Sequence, residues 1–508
     1  MSNKEDKIKI GEVKNLSELS DEERIKKLVE QGDITISQAL IEIANLSAVF
    51  FLTENEEVYA SVQQYDQTID NYPVNGDKFQ KLLRKKYYDI FNKSLNKSII
   101  TEAIDTIVAN QEFSPQPIHD TFIRVGGDYN TIYIDLCSPN KEIVEVNKSG
   151  WEIKKIAPIK FNRPKTMYSL PIPTKDGTIA VLDKFINVNK EDKILIYSFL
   201  LGCLIPTGPY PILIVQGPQG SGKSFFCRLI KSIIDPTFAP IRSLPRNEED
   251  LVITAQKNKL LAFDNLSGLS NNMSDSLCKL ATGGGFTTRK FFDNSEEVVF
   301  STLRPIVLNG IDYIARRPDL ADRAIIINLK PINNKDRKSE KELLEEIELI
   351  RPKVLGALLD ALTIALKEFN NVNLEYLPRM ADFAKWATAA ETGFGYKKGT
   401  FIKSYENNQL ETAREAVEHD IVISTIIDCL KKEKKISGTA SYILEKLDNY
   451  LTIEPKRSKE WITSPNQLKN ILIRLQPILE ANYITYSFER NSNGRIHTLE
   501  NSYIEEQL

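Results

Sequence analysis

Eight consecutive residues, Gly217, Pro218, Gln219, Gly220, Ser221, Gly222, Lys223 and Ser224, spell GPQGSGKS and match the phosphate-loop pattern G-x-x-x-x-G-K-[ST] in full. Glycines at 217, 220 and 222 admit backbone conformations that a Cβ would close, so successive N–H groups can turn inward around a phosphate. Lys223 offers a positive charge to the β- and γ-phosphates of ATP, Ser224 offers a hydroxyl to Mg²⁺, and the helix N-terminus that follows favours negative charge. The apolar run Ile212 to Val215 reads as a strand entering the loop, and an amphipathic helix leaves it near Ser224. A glycine-rich turn with a chance lysine is the competing reading, and the intact strand and helix on either side weigh against it.

Further polar residues stand at the ends of apolar runs. KLLAFD (259–264) is a buried-strand pattern ending in Asp264, a carboxylate suited to orienting the water shell of Mg²⁺ beside the loop. The companion glutamate that would polarise an attacking water is replaced by Asn265, and an amide cannot take a proton as a carboxylate does. Three options stay open: Asp264 serves both roles, a carboxylate such as Glu296 or Glu297 acts, or hydrolysis is slow. PIVLN (305–309) is a third core strand whose polar end, Asn309, is a candidate γ-phosphate sensor. In RPDLADRAIIINL, Arg323 just before another buried strand is the candidate finger acting on a neighbouring subunit's ATP, with Arg317 second; a structural ion pair is the alternative for each. Arg379 is a candidate second sensor. Between Leu277 and Phe300 a helix ends at Gly283–Gly285, and FTTRKFF and EEVVFS flank the turn residues Asp293, Asn294 and Ser295. That hairpin carries Arg289 and Lys290, placed either to grip DNA phosphates or to face solvent.

The elements that must position these residues are expected in the order of an α/β chain. Residues 1–20 read as a disordered tail and 21–115 as an N-terminal, mostly helical domain. Its helix Lys78 to Asn92 sets Lys81, Arg84, Lys85 and Lys86 beside Tyr87 and Tyr88, a nucleic-acid contact or a solvated face. Residues 116–170 read as a small β-rich module, 171–335 as the P-loop core and 336–415 as a helical lid in which Pro352 divides two helices. From 416 to 508, three helices and a hairpin at Asn493-Gly494 indicate a winged-helix domain. Its third helix carries Lys469 and Arg474 toward DNA, although some winged helices bind only protein.

Bulk properties bound the function. A chain of 508 residues suggests about three domains of roughly 150 residues each. Lys+Arg of 66 against Asp+Glu of 69 excludes a uniformly basic coat, so nucleic-acid binding must use local patches. The five cysteines and three histidines form no zinc spacing and point to a reducing compartment. The start of the chain lacks an apolar signal core, and the apolar run Ile194 to Ile205 is too short to span a bilayer, so a cytoplasmic protein with no membrane association is expected.

Taken in order, the P-loop, AFDN, ATGGGF, VLNG and RPDLADR segments resemble AAA+ ATPases encoded near primase genes on bacterial mobile elements. The chain looks particularly like the minichromosome-maintenance-like replicative helicases of cassette chromosome elements, and the resemblance runs from about Ile118 to the end, including GGDYNTIYIDL, LPRMADFAKW and TSPNQLKNILIRL. It implies an AAA+ core with a helical lid, a homo-hexameric ring, ATP-driven movement along single-stranded or forked DNA, and a primase or single-strand-binding partner. It also implies Arg323 as the finger and the Phe286 to Phe300 hairpin as the DNA-facing loop. LLAFDNLSGL looks like that family's own form of the acidic strand, which leaves the catalytic base unassigned. A non-translocating initiator or loader switch, or an NTP-dependent regulatory scaffold, are the competing functions.

Overall fold

The computed structural model describes residues 19–502 other than 65, 290–296, 301–302, 311–312, 334, 336, 452–460, 463 and 492–493. The chain forms two compact units, Met1–Phe122 with Lys155–Arg163, and Ile123–Lys154 with Pro164–Leu508. The segment read from sequence as one β-rich module is thus shared between them.

In the first unit α1 (Asp21–Gln31) and α2 (Ile36–Ser47) both open with capping boxes, Ser20 with Glu23 and Thr35 with Gln38. Strands β1 (Val49–Leu52), β2 (Val58–Gln63) and β3 (Ile69–Pro73) form an antiparallel meander. Two helices follow, α3 (Asp77–Phe91) and α4 (Lys97–Glu112), then β4 (Thr121–Phe122). On α3 the buried residues are Phe79, Leu83 and Tyr87, spaced one helical turn apart. The basic face opposite is laced by i,i+4 pairs, Lys81 with Asp77 at 2.9 Å and Lys85 with Asp89. That is the pattern of a solvated face.

The second unit begins with an antiparallel sheet of β5 (Val125–Gly127), β6 (Thr131–Asp135), β7 (Ile143–Asn147) and β8 (Gly150–Lys154). Strand β9 (Lys160–Phe161) returns to the first unit and pairs with β4. Helix α5 (Lys193–Cys203) is buried from Ile194 to Cys203, as its unbroken apolar run requires. The centre comprises β10 (Ile212–Gln216), α6 (Lys223–Ile234), α7 (Glu248–Ala255), β11 (Leu261–Leu266), α8 (Asn271–Thr282), β12 (Phe286–Arg289), β13 (Glu297–Phe300), β14 (Ile306–Gly310), α9 (Pro318–Ala321) and β15 (Ala324–Asn328).

Four of these strands make a parallel sheet in the order β11-β14-β10-β15. Their continuous Val/Ile/Leu runs suit a sheet covered on both faces. Leu213, Val215, Val307 and Ile327 pack on one side with residues of α5, α6 and a long helix α10 (Glu340–Glu368). Ile212, Ile214, Leu308 and Ile326 pack on the other with the C-terminal residues Ile426, Leu468 and Leu472. The helices α11 (Ala381–Ala390) and α12 (Thr400–His419) follow α10. Helix α12 also closes the sheet edge: the Asn408 amide accepts from Ile326 N at 3.1 Å and donates to Ile326 O at 2.7 Å.

Pro352 does not divide two helices, contrary to the sequence expectation, but lies inside the single helix α10. Proline removes one N–H from the ladder, and tertiary packing outweighs that loss. The 174–177 segment runs backbone to backbone against this turn, with Thr174 N donating to Pro352 O at 3.1 Å. A Cβ at Gly177 or Gly356 would overlap the facing backbone, so glycine is needed at both positions.

A buried ion cluster ties the antiparallel sheet to the far end of α6. Arg124 Nε is 3.2 Å from Asp235 Oδ1, and Lys231 Nζ is 2.8 Å from Asp235 Oδ2. Burial alone would raise the Asp235 carboxyl, but Lys231 and Arg124 together hold it down to about 2.

The chain ends with α13 (Ile421–Glu433), β16 (Lys435–Gly438), α14 (Ala440–Asp448), α15 (Pro465–Ala481), β17 (Ile484–Asn491) and β18 (Gly494–Asn501), the strands pairing in the order β16-β18-β17. Strands β17 and β18 form the expected hairpin, with the turn residue Asn493 outside the described residues. Among the described residues no helix is long and apolar enough to cross a membrane.

Candidate nucleotide site

The loop between β10 and α6 holds its three glycines at φ values of 144° (Gly217), 78° (Gly220) and 87° (Gly222), where other residues are strained. A Cβ at Gly217 would stand 2.7 Å from Leu329 O and 2.9 Å from Ser221 Oγ. The loop therefore closes tightly on itself and on the end of β15, with Pro218 and Gln219 at its turn.

Lys223 folds back over this loop, its Nζ donating to Gly217 O at 2.7 Å and to Pro218 O at 3.0 Å. Partial burial lowers its pKa, and the charge of Asp264 opposes that shift. The Ser221 hydroxyl is buried without a hydrogen-bond partner. Ser224 Oγ donates to Asp264 Oδ1 at 2.9 Å. These features fit a nucleoside triphosphate with Mg²⁺: a cradle that a Cβ would fill, an orphan hydroxyl within it, a lysine resting on loop carbonyls, and a hydroxyl–carboxylate pair of the hard oxygen donors that Mg²⁺ takes.

Strand β14 lies between β10 and β11, which puts Asn309 beside both. Its Oδ1 accepts from Asn265 N at 3.1 Å, and its Nδ2 donates to Cys227 Sγ at 3.1 Å, one turn beyond Ser224 on α6. Asn309 is 1% exposed, so the amide is a buried clasp between the acidic strand and the P-loop helix. Burial drives the Cys227 thiol up to about 12, and this cysteine is an inert acceptor.

The arginines divide sharply. Arg323 Nη1 binds Asp319 O at 2.8 Å and pairs with the Asp319 carboxylate, and its side chain is 13% exposed. Arg317 Nη1 binds Asn271 O at 2.8 Å and Asp275 Oδ1 at 2.6 Å. Both finger candidates thus have partners within their own chain. Arg379 is exposed in the turn before α11, and its charge opposes the burial that raises the Asp322 carboxyl.

One cation that sequence reasoning missed stands at the loop. Arg337 Nη2 would lie 3.0 Å from a Cβ at Gly220, and Ile332 Cδ1 would lie 3.3 Å from one at Gly222. The segment after β15 therefore passes along the loop, and just beyond it Glu340 at the start of α10 pairs with Arg228 of α6. No motif marks Arg337. The only available signal was that a chain leaving a strand beside the P-loop strand must pass the loop's mouth.

Strands β12 and β13 pair antiparallel as expected. Lys290, Glu296 and the turn residues Asp293 to Ser295 lie outside the described residues, as do the side chains of Arg289, Glu297 and Arg474. Lys469 Nζ sits 3.8 Å from the centroid of the Phe488 ring, a cation–π contact between α15 and its own hairpin.

Residues 179–407 match the family described as actinomycete integrative conjugative element replication protein, and residues 422–506 match the AICE RepA C-terminal domain. No curated protein matches the chain. Among solved structures, an A-form apo structure of the NrS-1 C terminal region is similar at 12% identity and a TM-score of 0.39, covering 91% of this chain and 98% of that one. A second apo structure of that region gives 11% and 0.38, covering 91% and 99%.

Proposed function

We propose that this replication protein of a mobile genetic element is an ATP-driven DNA helicase, a ring-shaped AAA+ motor whose nucleotide site is shared between subunits. The observation that carries the reading is the joining of Ser224 to Asp264 at 2.9 Å beneath a loop whose three glycines all take left-handed conformations. When bound, ATP supplies the phosphoanhydride to be cleaved, and Mg²⁺ neutralises its developing charge.

The chain's own residues do the rest. The N–H groups of Gly217 to Ser224 and the α6 N-terminus hold the phosphates. Lys223 exchanges two loop carbonyls for phosphate oxygens, while Ser224 and Asp264 orient the metal's water shell. Arg337 adds a positive charge at the loop from the same subunit. Arg323, at the chain's turn into β15, leaves Asp319 to reach a neighbour's nucleotide. The β12–β13 hairpin and the C-terminal domain engage DNA.

The test is unwinding of a forked duplex with ATP, alongside mass measurement with and without nucleotide. The expected result is ATP-dependent strand separation by a hexamer, lost in Lys223→Ala. DNA binding that responds to ATP without strand separation identifies a switch instead, and DNA that neither binds nor alters the ATPase rate refutes both readings.

A further inference from the structure

The residue after Asp264 stands where a glutamate would activate water, and here it is Asn265. Its backbone is unusual: φ is +58°, the left-handed region that side chains with a Cβ rarely enter and that asparagine tolerates best. The register explains how it arises. Phe263 pairs with Leu308 and Leu266 with Gly310, so Asp264 and Asn265 together stand opposite the single residue Asn309. This is a β-bulge, one extra residue on β11, a device that re-aims side chains next to functional sites.

In a regular strand Asn265 would face away from Asp264. The bulge breaks that alternation, and the flanking pattern shows its result: Asp264 is half-buried, Asn265 is exposed, and Leu266 returns to the core. The bulge is also pinned. Asn265 N donates to Asn309 Oδ1 at 3.1 Å, and Asp264 N donates to Arg242 O at 2.8 Å. Asp264 is fixed in turn by Ser224. A solvent-facing amide is thus held one residue beyond the carboxylate that meets the P-loop serine, on a backbone locked from both sides.

We propose that Asn265 is the water-positioning residue of ATP hydrolysis, its carboxamide orienting the attacking water without acting as a base. This rests on the nucleotide reading above. In the step, the water oxygen forms a bond to the γ-phosphorus, and the bond to the bridging oxygen breaks with its electron pair leaving on ADP. One proton of the water stays on the new phosphate; the other passes through a phosphate oxygen to solvent. Asn265 accepts a hydrogen bond from that water and takes no proton, as side-chain amides do in other nucleotide hydrolases. Asn309, which fixes the Asn265 backbone, is then a positioning residue for hydrolysis.

A competing role is purely conformational, asparagine serving only because it tolerates the left-handed backbone. Asn265→Gly separates the two, because glycine adopts that backbone freely but carries no amide. Three quantities are measured on the full chain: affinity for a fluorescent ATP analogue, melting temperature, and single-turnover hydrolysis at saturating ATP. The expected result for Asn265→Gly is unchanged affinity and melting temperature with hydrolysis reduced about 100-fold. Asn265→Asp keeps a hydrogen-bond acceptor on the same bulge, so it should retain more hydrolysis than Asn265→Gly.

Wild-type hydrolysis in Asn265→Gly overturns the proposal and leaves asparagine as a backbone device. Parallel loss of affinity and hydrolysis in that variant also overturns it, because the residue would then support the loop itself. Absence of nucleotide binding in the wild type is a different failure, that of the underlying reading.

Discussion

Ser224 Oγ donates a 2.9 Å hydrogen bond to Asp264 Oδ1, joining the first turn of α6 to the end of β11, a strand that does not pair with the β10 strand leading into α6. Strand β14 separates β10 from β11 in the sheet, and α6 packs across β14 to reach the end of β11. Residues far apart in the chain are thereby brought together so that both could hold the same Mg²⁺. Ser224→Ala and Asp264→Asn should each lower nucleotide affinity about 10- to 100-fold in Mg²⁺ while changing it little in chelator. Titrating a fluorescent nucleotide with and without Mg²⁺ measures the difference. A Ser224→Ala protein that keeps the whole Mg²⁺ effect would reduce this bond to a structural tie.

Arg337 differs from Arg317 and Arg323 in holding its guanidinium beside Gly220, with no ion pair among the described residues. A charge-assisted hydrogen bond to a phosphate contributes roughly 1.5–3 kcal/mol, so Arg337→Ala should weaken ATP binding about 10- to 100-fold. The loss should be larger for ATP than for AMP, and Arg337→Lys should recover part of it. Equal affinities for wild type and Arg337→Ala at low salt would show that the guanidinium only shields the loop.

For Arg323 the ion pair with Asp319 decides what a single mutant can reveal, because losing either role lowers activity. Mixed subunits resolve this. Arg323→Ala and Lys223→Ala chains are each expected to be inactive alone, and a mixture should regain measurable ATPase where an intact Arg323 meets an intact P-loop. No recovery at any ratio assigns Arg323 to its own subunit's ion pair.

Much of this site was legible in the sequence because its chemistry is local. GPQGSGKS requires left-handed glycines between a strand and a helix, and KLLAFD and PIVLN each place one polar residue at the end of an apolar run. What stayed hidden is set by strand order and register, which single runs do not encode. Nothing in PIVLN says that β14 inserts between β10 and β11, turning Asn309 into a buried clasp. Nothing in AFDN says that one extra residue puts Asp264 and Asn265 opposite it. The error at Pro352 has the same origin: local propensity called for a break, and the backbone contact at Thr174 kept the helix whole. Arg337 was invisible because its role comes from the path of the chain.

Lys259 offers a test of the core beneath the site. It is 1% exposed, its Nζ donates to Ile205 O at 2.9 Å and to Tyr210 Oη at 2.8 Å, and no carboxylate is among those partners. Burial, and then the charge of Arg304, lower its pKa to about 7. In the unfolded chain an unperturbed lysine titrates near pH 10.4. Between about pH 7 and pH 10, the unfolded chain therefore holds a proton that the folded chain has released, and stability rises with pH. Below pH 7 both states are protonated, so the full penalty of burying the charge is present there and does not change. The slope is at most about 1.4 kcal/mol per pH unit. Lys259→Met removes this titration, so the stability of wild type relative to Lys259→Met should climb from pH 7 to about pH 9.5 in denaturant unfolding. A flat difference over that range would show that Lys259 stays charged in the folded protein, held by the Ile205 carbonyl and the Tyr210 hydroxyl.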